Sequence, residues 1–168
     1  MANNELSGTV LTAFLGRWLL DKPQRRYSYR LLWLPETIGA IAYLSRNLEI
    51  MQKRIVAGFQ AVCLGGPSNF TYINSRQGNS LSDQVAVHVL RHLVPSAEIK
   101  DYRHRASDER QWCAPGIDLP IGCLTKTVFE GYTEYHTSLD NLDFVRPDHL
   151  EMAFKVLSTT ITVLERNH

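Results

Sequence analysis

Apolar side chains recur at spacings of three and four from residue 5 to residue 20. There Leu6, Val10, Leu11, Phe14, Leu15, Trp18 and Leu19 predict an amphipathic helix that Lys22-Pro23 ends. Asn3 or Asn4 is placed to cap it. Tyr27 to Leu34 is dense in aromatic and branched residues and reads as a buried strand, after which Pro35-Glu36 suits the first turn of a helix running through Leu44. Loose alternation from Arg54 to Leu64 predicts a second, central strand, and Gly65-Gly66-Pro67-Ser68-Asn69 a turn before a short strand at Phe70 to Ile73. Ser80-Leu81-Ser82-Asp83 resembles a capping box opening a helix to about Leu93. Glu98 to Tyr102 and Ile121 to Thr127 read as further strands, separated by a long charged loop. Asp148 with Glu151 is placed to cap a final helix whose stripe is Leu150, Ala153, Phe154, Leu157, Ile161 and Leu164. Helices alternating with strands imply an α/β fold, a three-layer αβα sandwich around a mixed, mostly parallel sheet.

Length and composition narrow the picture without changing it. At 168 residues and 44% apolar, the chain fits one domain, residues 1–168, with a substantial core. Eighteen basic and 17 acidic side chains are spread along the sequence, so it carries no electrostatic footprint for nucleic acid or anionic lipid. No leader pattern and no run of membrane-spanning length is visible, and a cytoplasmic protein is the simplest expectation. Cys63, Cys113 and Cys123 are odd in number and form no CxxC pair, so reduced thiols are expected.

The candidate chemistry is concentrated in polar runs between these elements. Glu134-Tyr-His-Thr-Ser-Leu-Asp-Asn141 holds an imidazole, hydroxyls and carboxylates. It reads either as a metal-ligand loop, with His136 the ligand and Thr137, Ser138 and Asp140 orienting the ring, or as a capped turn with an ordinary histidine. Glu36 falls where a strand meets a helix N-terminus, a place where sites gather in open α/β sheets and where the helix dipole alone also favours a carboxylate. His88 and His92 share a helix face in an HxxxH spacing, without the acidic neighbour of the zinc-peptidase motif.

Four stretches, taken in order, carry a resemblance that spans nearly the whole chain. Ala2-Asn-Asn-Glu-Leu-Ser-Gly8, Pro35-Glu-Thr-Ile-Gly39, Ser107-Asp-Glu-Arg-Gln111 with Pro115-Gly116, and Glu134 to Asn141 resemble the bacterial aminopeptidase-like domain of the zinc exopeptidase superfamily. That superfamily also contains leucyl aminopeptidases, glutaminyl cyclases and glutamate carboxypeptidases. The resemblance implies an αβα sandwich holding zinc at the carboxyl edge of its sheet, one ion here rather than two. His136 matches the final histidine ligand, and Asn4 with Glu5 stands where a bridging aspartate is expected. Glu36 matches the acidic turn that supplies a general base or a ligand, and the resemblance leaves open which. Asp108 matches the aspartate of a Ser-Asp motif lining the site, Arg110 is placed to receive a substrate carboxylate, and Asp140 is assigned to substrate binding.

The chain also departs from the pattern. Asparagine replaces the bridging acid, Val62-Cys63-Leu64-Gly65 holds no acid, and an upstream histidine would have to precede Met1. The resemblance therefore implies an incomplete core of a larger architecture. An uncovered sheet edge would follow, and with it self-association into a homo-oligomer. The function implied is a zinc-dependent hydrolase cleaving a peptide or amide bond near a free terminus. The alternatives are a non-catalytic binding or assembly module that keeps the fold, and a glutaminyl-cyclase-like transferase.

Overall fold

The computed structural model describes residues 1–126, 128 and 131–167. The chain opens with a π-helical turn, Ala2–Leu6, that runs directly into α1 (Ser7–Leu20). Then come α2 (Ile38–Arg54), β1 (Gly58–Ala61), β2 (Thr71–Ile73), α3 (Leu81–Leu93), β3 (Glu98–Lys100), a short α4 (Glu109–Trp112), β4 (Ile121–Thr125) and α5 (Pro147–Arg166). The expected strand at Ile121 to Thr127 thus stops at Thr125, and Thr127 lies outside the described residues.

The four strands form one mixed sheet in the order β1-β4-β2-β3. β1 pairs with β4 and β2 with β3 in parallel, whereas β2 and β4 are antiparallel. Two apolar clusters make this the expected sandwich. Leu11, Leu15 and Leu19 of α1, Val85, Val89 and Leu90 of α3, and Val156, Leu157 and Ile161 of α5 pack with Tyr72 and Leu124, which stand opposite each other on the sheet. A second cluster gathers Ala40, Leu44 and Met51 of α2 with Trp112, Cys113 and Leu119. Each fully buried Leu or Ile contributes about 1.5–3 kcal/mol, so these clusters dominate the stability.

α3 begins as its sequence indicates. Ser80 and Asp83 form a reciprocal capping box. Other expectations are corrected. Asn3 and Asn4 make no side-chain cap on the first helical turn; its amides are satisfied from Asp140, 136 and 137 positions away. α5 has no side-chain cap either, because Pro147 occupies its first turn and Asp148 pairs with Arg146, Nε to Oδ1 3.2 Å. Of the expected apolar stripe only Leu11, Leu15 and Leu19 are buried; Leu6, Val10 and Phe14 are exposed. α2 starts at Ile38, with Pro35 to Thr37 in a turn before it, and continues to Arg54, so the second strand is only Gly58–Ala61.

Tyr27 to Leu34 is the main departure, since it forms no strand and none of its residues is buried. Side chains fasten it instead, making it a strap between the two helical layers. Tyr29 joins the α1/α3/α5 cluster and Leu34 the α2/α4 cluster, while Trp33 Nε1 donates to Thr12 Oγ1 at 2.9 Å. Glu165 ties its start by accepting from the Arg26 amide (2.6 Å), the Tyr27 amide (3.3 Å) and the Tyr29 hydroxyl. Partial burial works against ionisation of Glu165, but these donors outweigh it and hold the carboxyl below its ordinary value. A lowered folded-state pKa means that the tie contributes fully above the unfolded pKa of about 4.3 and is lost as pH falls through the folded value. Acid titration should therefore shift the Trp33 fluorescence below about pH 4 before far-UV circular dichroism changes. A single concerted loss of both signals would contradict the tie.

Candidate functional site

The Asn3–Asn4 segment and the Glu36 and Ser107–Asp108 groups meet the sheet near the end of β1. Beyond Ala61 the ladder continues irregularly: the Val62 amide donates to Leu124 O at 3.3 Å and the Lys126 amide to Cys63 O at 3.1 Å. The π-helical turn sits on this edge. Asn3 is fully buried, its Oδ1 accepting from the Gly65 amide at 2.7 Å and its Nδ2 donating to Tyr132 Oη at 3.3 Å. Ser7 Oγ donates to Asn3 O and accepts from the Leu64 amide at 2.9 Å. Gly8 allows the close approach, since a Cβ there would lie 2.0 Å from Ala61 O.

Asp140 is buried beneath the turn. Its Oδ1 accepts from the Asn3 amide and its Oδ2 from the Asn4 amide at 3.0 Å, which is an anion at the positive end of a helix. The carboxamide of Asn4 is engaged at both ends: Nδ2 donates to Glu5 Oε1 at 2.9 Å and Oδ1 accepts from Cys63 Sγ at 3.1 Å. Cys63 is buried in a left-handed conformation, φ 52°. Burial pushes its thiol up to about 12, a hydrogen bond from Tyr132 partly offsets this, and the charges of Asp140, Glu5 and Glu36 add to it. The thiol therefore stays protonated at neutral pH.

A second cluster joins the start of α2 to the start of α4. Ser107 Oγ donates to Glu36 Oε1 at 2.7 Å, and the next residue, Asp108, accepts from the Thr37 amide through Oδ1 at 2.7 Å. Gln60 Nε2 of β1 donates to Ser107 Oγ at 2.6 Å, which fixes the hydroxyl proton toward Glu36. Thr37 is held at φ 60°, a conformation that costs a β-branched residue about 1–3 kcal/mol. Glu36 is exposed, and its Oε2 has no hydrogen bond among the described residues. Asp108 is buried, which raises its pKa; the Thr37 amide opposes the rise and the Glu36 charge reinforces it.

Arg110 Nε donates to Ser107 O at 3.1 Å, which turns this side chain along an open groove between α2 and the residues after α4. Ile41, Leu44, Leu48, Ala114 and Ile117 line the groove, whose volume is about 440 Å³. His136 is exposed at φ 56° with its ring stacked on Tyr135, centroids 3.9 Å apart. His88 and His92 do share a face, with centroids 4.4 Å apart, on the surface of α3.

The zinc expected from the resemblance does not fit the donors present. Among the described residues no three His, Cys, Asp or Glu side chains are grouped as a metal site. Of the nearby groups, Asn4 is a neutral carboxamide with both ends engaged. The structure thus brings Glu36 together with Asp108, and Asn4 with Glu5, without gathering a ligand set around His136. The sequence assigns no site role to Asn3, Gln60, Ser107 or Glu109, although all but Gln60 lie in the stretches that carry the resemblance. For Ser107 its place before Asp108 was the available signal, whereas nothing local marks Gln60, 47 residues away from it.

The family model for a domain of unknown function, DUF4910, matches residues 1–167. A Clostridium acetobutylicum protein named for polysaccharide biosynthesis with an aminopeptidase-like domain is 38% identical over 167 residues, covering 99% of this chain and 38% of its own length. A crystal structure from the same organism, named as a peptidase, superposes with a TM-score of 0.93 at 37% identity, over 99% of this chain and 39% of that one. More distant sequences share the fold. The zinc aminopeptidase of Bacillus subtilis gives a TM-score of 0.80 at 17% identity, over 97% of this chain and 41% of its own, and the LapA aminopeptidase of Legionella pneumophila gives 0.79 at 18%, over 99% and 47%. The chain spans about two fifths of the length of the first relatives it matches. Among the described residues, no helix is long and apolar enough to cross a membrane.

Proposed function

The chain belongs to the DUF4910 family of domains, and from that premise and its aminopeptidase-like fold we propose that it is the core of a peptidase-like hydrolase acting on a peptide or amide bond near a free terminus. The observation that carries the reading is the Glu36–Ser107–Asp108 cluster at the sheet edge. Glu36 is exposed, one of its oxygens is oriented by the Ser107 hydroxyl and the other has no hydrogen bond among the described residues, an arrangement that suits a general base. Glu36 takes a proton from water as the water oxygen bonds to the scissile carbonyl carbon. It returns that proton to the amine nitrogen as the carbon–nitrogen bond breaks. Asp108 holds the Glu36–Thr37 turn in place, and the Arg110 guanidinium offers a planar fork to a carboxylate on the peptide. Asp140 and Asn3 fasten the turn carrying Asn4 and Glu5. No step is assigned to zinc, because the described donors do not assemble around one; zinc dependence, through His136 and the Asn4–Glu5 turn, enters as a variable of the test.

A second reading is favoured by a specific observation. The position expected to bridge metal ions holds a carboxamide engaged at both ends, which suits a binding module that keeps the fold without the reaction. The deciding experiment incubates the protein with leucine p-nitroanilide and short free-terminus peptides, with and without added zinc, and follows release of the amine. Release of the amine is the expected result, and comparison of the two conditions reads whether it depends on zinc. Saturable peptide binding with no turnover under either condition would replace the hydrolase reading with the binding one.

A further inference from the structure

Glu109, the first residue of α4, is fully buried, an unusual place for a carboxylate with no cationic partner among the described residues. Its Oε1 accepts from two consecutive amides, Ala106 at 2.7 Å and Ser107 at 3.1 Å, while Oε2 is buried with no hydrogen-bond partner among the described residues. Leaving such an oxygen unpaired costs about 1–3 kcal/mol or more. The residue therefore does not serve stability alone, and its contacts show what it serves.

Each polar atom of Ser107 is committed. The amide goes to Glu109, the hydroxyl accepts from Gln60 and donates to Glu36, and the carbonyl accepts from the amide and Nε of Arg110, both at 3.1 Å. With the Ser107 peptide fixed on one side by Glu109, the hydroxyl meets Glu36 and the following carboxylate meets the Thr37 amide. We propose that Glu109 is a positioning residue: its buried carboxylate sets the Ala106–Ser107 backbone and so holds Ser107 and Asp108 against Glu36 and Thr37. Its importance for turnover rests on the hydrolase reading above, but its geometric role does not.

The test compares the whole chain with Glu109→Gln and Glu109→Ala by residue-resolved amide hydrogen exchange. Glutamine keeps a carbonyl oxygen for both amides, so protection at Ala106, Ser107 and Thr37 should stay within about threefold of the parent. Alanine should accelerate exchange at these three by about tenfold or more while Tyr72 and Ile73 of β2 remain protected, the pattern of a local opening. In an active preparation, kcat should fall in the alanine variant at unchanged KM and recover in the glutamine variant. Unchanged protection of Thr37 in folded Glu109→Ala would overturn the assignment, as would acceleration spread evenly over the sheet. Should the alanine variant not fold, the parent still decides, since Ala106 and Ser107 amides exchanging at the rate of an unprotected amide would also overturn it. Absence of hydrolysis by the parent would remove the reading of the site without altering this exchange pattern.

Discussion

Replacing Asp83 by alanine is expected to lower stability by about 3–4 kcal/mol, the largest loss expected from any single side chain outside the apolar core. Asp83 is 2% exposed and receives five hydrogen bonds. Oδ1 accepts from the Ser75 amide at 2.8 Å and the Tyr72 hydroxyl at 3.1 Å; Oδ2 accepts from the Ser75 hydroxyl, the Ser80 amide and the Ser80 hydroxyl at 2.6, 2.8 and 2.7 Å. Alanine would strand two buried amides and remove the cap of α3 at the same time. The Tyr72 hydroxyl has nowhere else to turn, because it lies over Gly122, where a Cβ would stand 1.9 Å from it. Asn should fall between, since it keeps one acceptor oxygen but turns an NH2 toward the Ser80 amide. Thermal unfolding followed by circular dichroism should show a decrease of about 10 °C for alanine in a chain of this size. A decrease below about 2 °C would mean that the buried bonds contribute little beyond their desolvation.

Glu36→Gln is the second large effect, this time on turnover. The carboxamide keeps an oxygen for the Ser107 hydroxyl, so fold and turn geometry persist, but it cannot accept a proton. Loss of a general base lowers kcat by about 10²–10⁴-fold, and KM should hardly move because Glu36 is not assigned to binding. Steady-state kinetics on a peptide substrate of the parent checks this. Full activity in the variant would take Glu36 out of the mechanism and direct attention to Asp108, whose carboxyl is the other acid of the cluster.

How much of this was legible follows the range of the interactions. The Ser80–Asp83 box was visible because its partners are three residues apart, and the α5 stripe because its burial repeats with the helical period. The Asn3–Asn4 segment, Pro35-Glu36, Ser107-Asp108 and the His136 loop were recognisable as pieces of one family pattern, and the structure places the first three at one sheet edge. The sequence could not show that the first turn would be capped from Asp140, or that Tyr27 to Leu34 would be fastened by Glu165 and Thr12. Composition alone made the latter look like a strand, but a strand needs a ladder partner, and side-chain anchors supplied the competing solution. Positive φ at Thr37 and Cys63 was equally hidden, because neither is a residue that favours it.

Two of these fastenings also set a temporal order. The amides of Asn3 and Asn4 wait for Asp140, and Tyr29 waits for Glu165, separations of 136 or 137 residues in each case. During synthesis the opening turn and the strap are made among the first parts of the domain, yet the turn cannot reach its final state before Asp140 is made, nor the strap before the last helix has left the ribosome. Whatever is translated before or after it, this domain closes from its far end backward.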